Sequence, residues 1–154
     1  MNNVLYHYTS RYHLEEILKS NYLKLTESNL LPPDKDEIKA MKCGKWKPKP
    51  EHLLHKPVVW LTRSVDGSMT GLEGSKYNKR EIRITLNKRK HYEMWLIWSR
   101  QNRIKSSWAK VLERNNNPNE WYISEQIILL NPNELIMIEN TLTGEVIVDN
   151  SNYR

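Results

Sequence analysis

The chain has 154 residues and a mass of 18.4 kDa, the size of one ordinary domain with a buried core. Its formal charge of +6 and pI near 9.4 favour a polyanionic partner, such as nucleic acid or a phosphate-bearing cofactor. No apolar stretch approaches the roughly 20 residues of a membrane span, and the N-terminus lacks the apolar core of a signal peptide. Together with Cys43 as the single cysteine, this predicts a cytoplasmic protein with no membrane partner and no intramolecular disulfide.

The first predicted elements are a strand over residues 3–9 and a short helix that begins after Ser10. Leu14, Ile17 and Leu18 provide the i, i+3, i+4 apolar stripe of that helix, and Ser10 has the residue type of an N-cap. Asn21 is suited to a left-handed C-cap, and residues 22–26 then alternate like a second strand. Prolines and many lysines predict a long irregular loop over 27–56, a length typical of functional or disordered segments.

The second half of the chain is richer in predicted strands. The predicted elements are strands over 57–62, 81–86, 121–130, 135–138 and 145–148, a loop over 63–78 and helical structure over 91–114. The strand over 57–62 is almost continuously apolar, which favours a central position in a sheet. With no internal repeat and no linker, the pattern predicts one α+β domain over 1–154 with at least five strands.

Three polar sites lie on or beside the predicted strands. His7 is followed by Thr9 and Ser10 at a helix N-terminus, where backbone N–H groups favour anions. Thr62 and Arg63 end the apolar strand. A half-buried, hydrogen-bonded histidine and a strand-end hydroxyl are the structural alternatives to a binding role for the first two sites.

Glu125 is the third site, inside the predicted strand over 121–130. If that strand is regular, its neighbours on the same face are Ile123 and Ile127, so the carboxylate points to an apolar face. An ionised carboxylate in such a place must be paired, protonated or line a cavity. This favours a functional role in a cleft, and the alternative is an ion pair with Arg80 or Arg83.

These motifs, taken in order, resemble the ADP-ribosyltransferase fold. The similarity rests on Tyr-His-Tyr-Thr-Ser at 6–10 before a leucine-rich helix, Tyr-Leu at 22–23, Val-Val-Trp-Leu-Thr at 58–62 and Ser-Glu at 124–125. The nearest branch is the DNA-targeting toxins (DarT-like) and related small phage or bacterial proteins. The resemblance implies two small, mostly antiparallel sheets that form a central cleft with flanking helices, and NAD as the substrate.

The resemblance also implies a role for each motif. Glu125 would be the catalytic residue, stabilising the oxocarbenium-like state in which the nicotinamide–ribose bond breaks. Ile123 stands where arginine-modifying members carry a second acid or amide, so a nucleic-acid or protein acceptor is expected rather than arginine. The NAD-binding residues would be His7, Tyr8, Thr9, Ser10, Trp60, Thr62, Arg63 and Tyr77.

Two other functions are compatible with the sequence. A dense basic run with interleaved tryptophans favours a non-enzymatic module that binds single-stranded nucleic acid through Trp98, Arg100, Arg103 and Lys105. The alternative for that run is a helix core of tryptophans with a solvated charged face. The third function is a phage-type protein that inhibits a partner through the 27–56 loop. We expect no metal site, because Cys43, His52 and His55 fall short of a convincing zinc ligand set.

Overall fold

The computed structural model describes residues 3–26, 39, 42–44, 57–66, 78–104, 106–114 and 116–153. The strands in this part of the chain are β1 (Val4–Thr9), β2 (Tyr22–Leu23), β3 (Val59–Thr62), β4 (Ile82–Asn87), β5 (Glu93–Met94), β6 (Trp121–Ser124), β7 (Ile128–Leu129), β8 (Leu135–Asn140) and β9 (Val146–Asp149). The helices are α1 (Arg11–Ser20), α2 (Trp95–Gln101) and α3 (Ser106–Glu113), and a 3₁₀ turn spans Pro118–Glu120.

The strands form one large antiparallel sheet and one small one, in an α+β architecture. The large sheet has the order β5-β6-β3-β1-β4-β8-β9, and β2 pairs with β7 in the small sheet. The predicted α+β class is therefore confirmed. The two sheets are unequal, with seven strands in one and two in the other. The large sheet is continuous because β1 pairs with both β3 and β4, which lie before and after the 63–78 segment in the chain.

The helix α1 begins and ends where its sequence predicts. Ser10 has the extended backbone of an N-cap, although its hydroxyl makes no capping bond. Asn21 adopts the left-handed conformation at φ 60°, and its N–H donates to the Ile17 carbonyl. Leu14 and Ile17 pack against the core below the large sheet.

The large sheet separates two hydrophobic cores. On one face, which we call the α1 face, alternate residues of β1, β3 and β6 (Leu5, Leu61, Tyr122) pack with Leu23 and Ile128 of the small sheet. On the other face, the α2 face, Trp95 and Trp98 of α2 pack against Trp121 and Ile123 of β6, with Trp60 at the edge of the cluster. Because side chains alternate along a strand, each residue of β1, β3 and β6 belongs to one face or the other.

Two predicted elements are interrupted. The strand predicted over 121–130 divides into β6 and β7, and residues 125–127 form an exposed bend between them. The helix predicted over 91–114 becomes β5, α2 and α3, with Arg103 in the left-handed conformation at φ 55° between the helices. The 22–26 strand is shortened to β2, and Thr26 forms an isolated bridge with Val58.

Candidate functional site

A pocket of about 230 Å³ lies on the α1 face, between α1, the end of β1 and the segment 22–26. Most of the side chains in its wall are polar or charged, and the wall is formed by His7, Thr9, His13, Glu16, Ile17, Ser20, Tyr22, Leu23, Lys24 and Thr26. This volume is below the roughly 300–1,000 Å³ of ordinary small-molecule sites. The pocket therefore holds one ring or sugar, and a larger ligand would extend beyond it.

His7 is the most constrained polar side chain of this pocket. Its Nδ1 lies 2.9 Å from the Trp60 carbonyl oxygen, and burial lowers its pKa, with the bond to that carbonyl acting in the opposite direction. A carbonyl oxygen only accepts hydrogen bonds, so Nδ1 must carry the proton. In the neutral ring, Nε2 is then an acceptor that a hydroxyl or N–H group of a ligand can satisfy.

Thr9 and Ser10 follow His7 at the base of the pocket and the start of α1. Thr9 is buried and contributes to the pocket wall. Ser10 is only 2% exposed, and its hydroxyl has no hydrogen-bond partner. The structure thus brings His7 and Thr9 together in one wall, whereas Ser10 lies behind it.

Three of the predicted NAD-binding residues lie on the opposite face of the sheet. Tyr8 donates from its hydroxyl to the Ser64 carbonyl at 2.7 Å, and burial raises its pKa to about 12. Trp60 packs against Trp95 and Trp121, with ring centroids 5.1 and 6.0 Å away. Thr62 is buried, and its Oγ1 accepts from the Ser64 N–H at 3.0 Å.

Tyr8, Trp60 and Thr62 lie on the opposite face from His7 because side chains alternate along β1 and β3. The register pairs Tyr6 with Thr62, which places His7 opposite Leu61 and puts Trp60 and Thr62 on the α2 face. The expectation that one cleft contains His7 together with Tyr8, Trp60 and Thr62 is therefore wrong.

Glu125 does not occupy the apolar environment that the sequence predicts. It lies in the exposed bend after β6, and Ile127 beside it is 48% exposed. Its Oε1 accepts a 2.8 Å hydrogen bond from the indole Nε1 of Trp98, which is fully buried on the α2 face. The premise of a carboxylate inside a regular strand is wrong, and Glu125 has a structural partner away from the pocket.

A different carboxylate, Glu120, lies one residue before β6. The Arg63 N–H donates to the Glu120 carbonyl at 3.0 Å, which continues the β3–β6 pairing. Arg63 follows β3 on the α1 face, and its guanidinium lies 6.0 Å from the Tyr122 ring centroid. Glu120 is the last residue of the 3₁₀ turn and lies next to Arg63 on the neighbouring strand. Glu120 is half-buried, and none of the described residues forms a hydrogen bond or ion pair with its carboxylate.

Arg63 and Glu120 are backbone neighbours on adjacent strands, but their side chains do not form an ion pair. The Arg63 guanidinium instead donates to the Asn119 carbonyl at 3.1 Å. From the sheet register, Glu120 is two strands and two residues away from His7, about 12 Å at standard strand spacings. No sequence pattern identifies Glu120, which precedes the strand predicted over 121–130, whereas the argument from Glu125 requires that strand to continue past 124.

The residues predicted to bind nucleic acid divide into buried and exposed ones. Trp98 is fully buried between α2 and the sheet, so it cannot stack on a base, and that expectation is wrong. Arg100 and Arg103 are exposed at the end of α2 and in the turn after it. Their accessibility is compatible with the predicted role.

Several predictions fall outside the described residues. These are the roles of Tyr77 and Lys105, the 27–56 loop apart from 39 and 42–44, and the histidines His52 and His55. Cys43 is described and exposed. Among the described residues, no group of three metal-ligating side chains is close enough to hold an ion.

The last two findings concern membrane-spanning helices and similarity to known proteins. Within the described ranges, no helix has both the length and the apolar character needed to cross a membrane. Comparison with protein-family models, with characterised proteins and with solved structures gives no match to this chain.

Proposed function

We propose that the protein is an NAD-dependent ADP-ribosyltransferase that transfers ADP-ribose to a nucleic-acid or protein acceptor. The observation that carries the proposal is the pocket on the α1 face, whose wall contains Thr9 and a neutral His7 with Nε2 as an acceptor. A ribose hydroxyl is the kind of donor that this acceptor requires. The Tyr-His-Tyr-Thr-Ser motif at 6–10, which resembles the first motif of the ADP-ribosyltransferase fold, provides additional support.

The catalytic carboxylate of this proposal is Glu120 rather than Glu125. Glu120 lies beside Arg63 where the β3–β6 pairing begins, is half-buried and has no partner among the described residues. At about 12 Å from His7, it suits a ligand as extended as a dinucleotide, with one unit in the pocket and the other at the β3–β6 edge.

The chemistry of the reaction explains why a free carboxylate is needed. Breaking the bond between ribose and nicotinamide develops positive charge on the sugar, as in glycoside hydrolysis. A carboxylate fixed beside the ribose stabilises that charge without reorganising in the transition state. Arg63, exposed beside Glu120, would pair with the pyrophosphate.

The test compares three carboxylate variants in one assay of nicotinamide release from NAD. We expect Glu120→Gln to lower the rate by about 10²–10³-fold, the usual cost of removing one group that stabilises transition-state charge. Glu125→Gln keeps an acceptor for Trp98 and should leave the rate within a few-fold. Glu15→Gln, at an exposed position of α1 outside the pocket wall, is the matched control and should leave the rate unchanged.

Binding is measured separately from turnover. NAD at ten times its Kd should stabilise the protein by about 1.4 kcal/mol, or about 3–6 °C in Tm for a chain of this size. The His7→Asn variant keeps a donor for the Trp60 carbonyl but removes Nε2. NAD should therefore raise the Tm of this variant by less than it raises the Tm of the unmodified protein. An unchanged Tm at millimolar NAD would overturn the proposal, and loss of activity in Glu125→Gln alone would return the catalytic role to Glu125.

A further inference from the structure

The α2–α3 hairpin carries an unusual excess of positive charge. Residues 95–114 contain five basic residues (Arg100, Arg103, Lys105, Lys110 and Arg114) and a single acidic one, Glu113. Glu113 is engaged internally, since its Oε2 accepts a 2.8 Å hydrogen bond from the Trp95 indole. This one hairpin therefore contributes a formal +4 to a chain whose total is +6.

The basic side chains that the structure describes in this hairpin are all available to a partner. Arg100, Arg103, Lys110 and Arg114 are exposed, and within the described part of the chain none of them forms an ion pair. Solvated surface cations usually alternate with acids, which limits local self-repulsion. Their concentration here without acids indicates a surface suited to a polyanion.

Hydrogen bonds and core packing fix the backbone of the hairpin from which these side chains project. At the turn between α2 and α3, the Ile104 N–H donates to the Ser99 carbonyl and the Asn102 side chain donates to the Trp98 carbonyl, both at 2.9 Å. On α3, Ala109 packs towards the tryptophan core and Glu113 bonds to Trp95, so both face α2. Lys110 follows Ala109 on α3, and Arg114 follows Glu113 directly after the helix ends.

We propose that this surface, formed by Arg100, Arg103, Lys110 and Arg114, binds nucleic acid through its phosphates. The burial of Trp98 removes the aromatic platform that the sequence suggested, so the structure favours contacts to the backbone over base stacking and predicts little dependence on base sequence. Ile97 is the only large exposed apolar side chain among those whose burial the structure describes in the hairpin, whereas four of its basic side chains are exposed.

The hairpin contacts the segment that carries the candidate catalytic carboxylate. The 3₁₀ turn that ends at Glu120 packs against α2 and follows α3 in the chain. Nucleic-acid binding by this surface requires neither NAD nor catalysis. A failure of the proposed function would therefore not exclude this binding, and the binding test does not depend on it.

The test measures binding of labelled single-stranded and double-stranded DNA of equal length as a function of salt. With four phosphate contacts, log K should fall with log[salt] at a slope of about −3.6 on duplex and about −2.8 on single strands. That corresponds to roughly 100-fold weaker duplex binding at about 200 mM than at about 50 mM salt. Changing the sequence at constant length should alter Kd by less than about 3-fold.

Two matched variants distinguish the effect of this surface on binding from the effect of the net charge of the protein. Changing Arg100, Arg103, Lys110 and Arg114 to Gln should abolish the salt-dependent binding, with Tm unchanged. Changing Lys19, Lys42, Lys79 and Lys90 to Gln removes the same charge from exposed positions elsewhere and should retain most of the affinity. Equal losses in both variants, or binding only to anionic vesicles or an acidic protein, would overturn the proposal.

Discussion

His7 illustrates how one backbone contact fixes the chemistry of a side chain. Its Nδ1 donates to the Trp60 carbonyl on the neighbouring strand, which leaves Nε2 as an acceptor in the neutral ring. Burial opposes protonation and lowers the pKa of His7 below its ordinary 6.5. The pocket therefore contains a neutral acceptor at physiological pH.

The lowered pKa of His7 predicts a pH dependence of stability. Above pH 6.5 the ring is neutral in both folded and unfolded chains, so its contribution is fully present. As the pH falls below 6.5, the unfolded chain binds a proton first, and stability decreases by at most about 1.4 kcal/mol per pH unit for this group. His7→Asn, which keeps the donor to Trp60 and does not titrate, should show a shallower loss in urea unfolding between pH 7 and pH 5. Parallel curves would contradict the burial of His7.

At the scale of elements, the bend between β6 and β7 decides which residues are buried. A continuous strand would place Ile123 and Ile127 on one face. Because the chain bends at 125–127, Ile128 is instead the buried residue and contacts the core with Leu23 of β2. The strand that follows therefore belongs to the small sheet.

A pair of adjacent substitutions tests this bend. Ile128→Ala removes a side chain that is 3% exposed and should lower the free energy of unfolding by about 2–5 kcal/mol. Ile127→Ala, at a position that is 48% exposed, should change it by less than about 0.5 kcal/mol. Chemical denaturation of both variants gives the comparison, and a larger effect at Ile127 would favour the uninterrupted strand.

At the scale of the whole molecule, the large sheet separates the pocket from the tryptophan core. His7 and the pocket lie on the α1 face, whereas Glu125 supports α2 on the other face through the Trp98 indole. Each face can therefore lose a contact without rearranging the other. A catalytic role and a structural role for two acids near β6 are compatible for this reason.

This separation predicts independent energetics on the two faces. Glu125→Ala leaves the buried Trp98 N–H without its acceptor and should lower stability by about 1–3 kcal/mol. Combined with His7→Asn, its effect should add to within about 0.5 kcal/mol, as expected for sites with no shared partner. A coupling above about 1 kcal/mol in this double-mutant cycle would show that the two sites are in contact.

The sequence by itself determined the elements whose signals are local. Alternation and capping residues are sufficient for β1, α1 with its Asn21 cap, β4 and the β8–β9 pair, because each depends on neighbouring positions in the chain. The α+β class follows from their order. His7 was also identified from sequence as a pocket residue, since it precedes the helix that forms the opposite wall.

The tertiary structure alone decided which side chains share a face and which strands end early. The Tyr6–Thr62 register places Thr62 away from His7, and no local pattern specifies a register between strands fifty residues apart. Likewise, Glu125 leaves its predicted strand because the buried Trp98 indole binds its carboxylate and β7 joins the small sheet. Register and long-range pairing depend on packing across the whole molecule, and they moved the candidate carboxylate from Glu125 to Glu120.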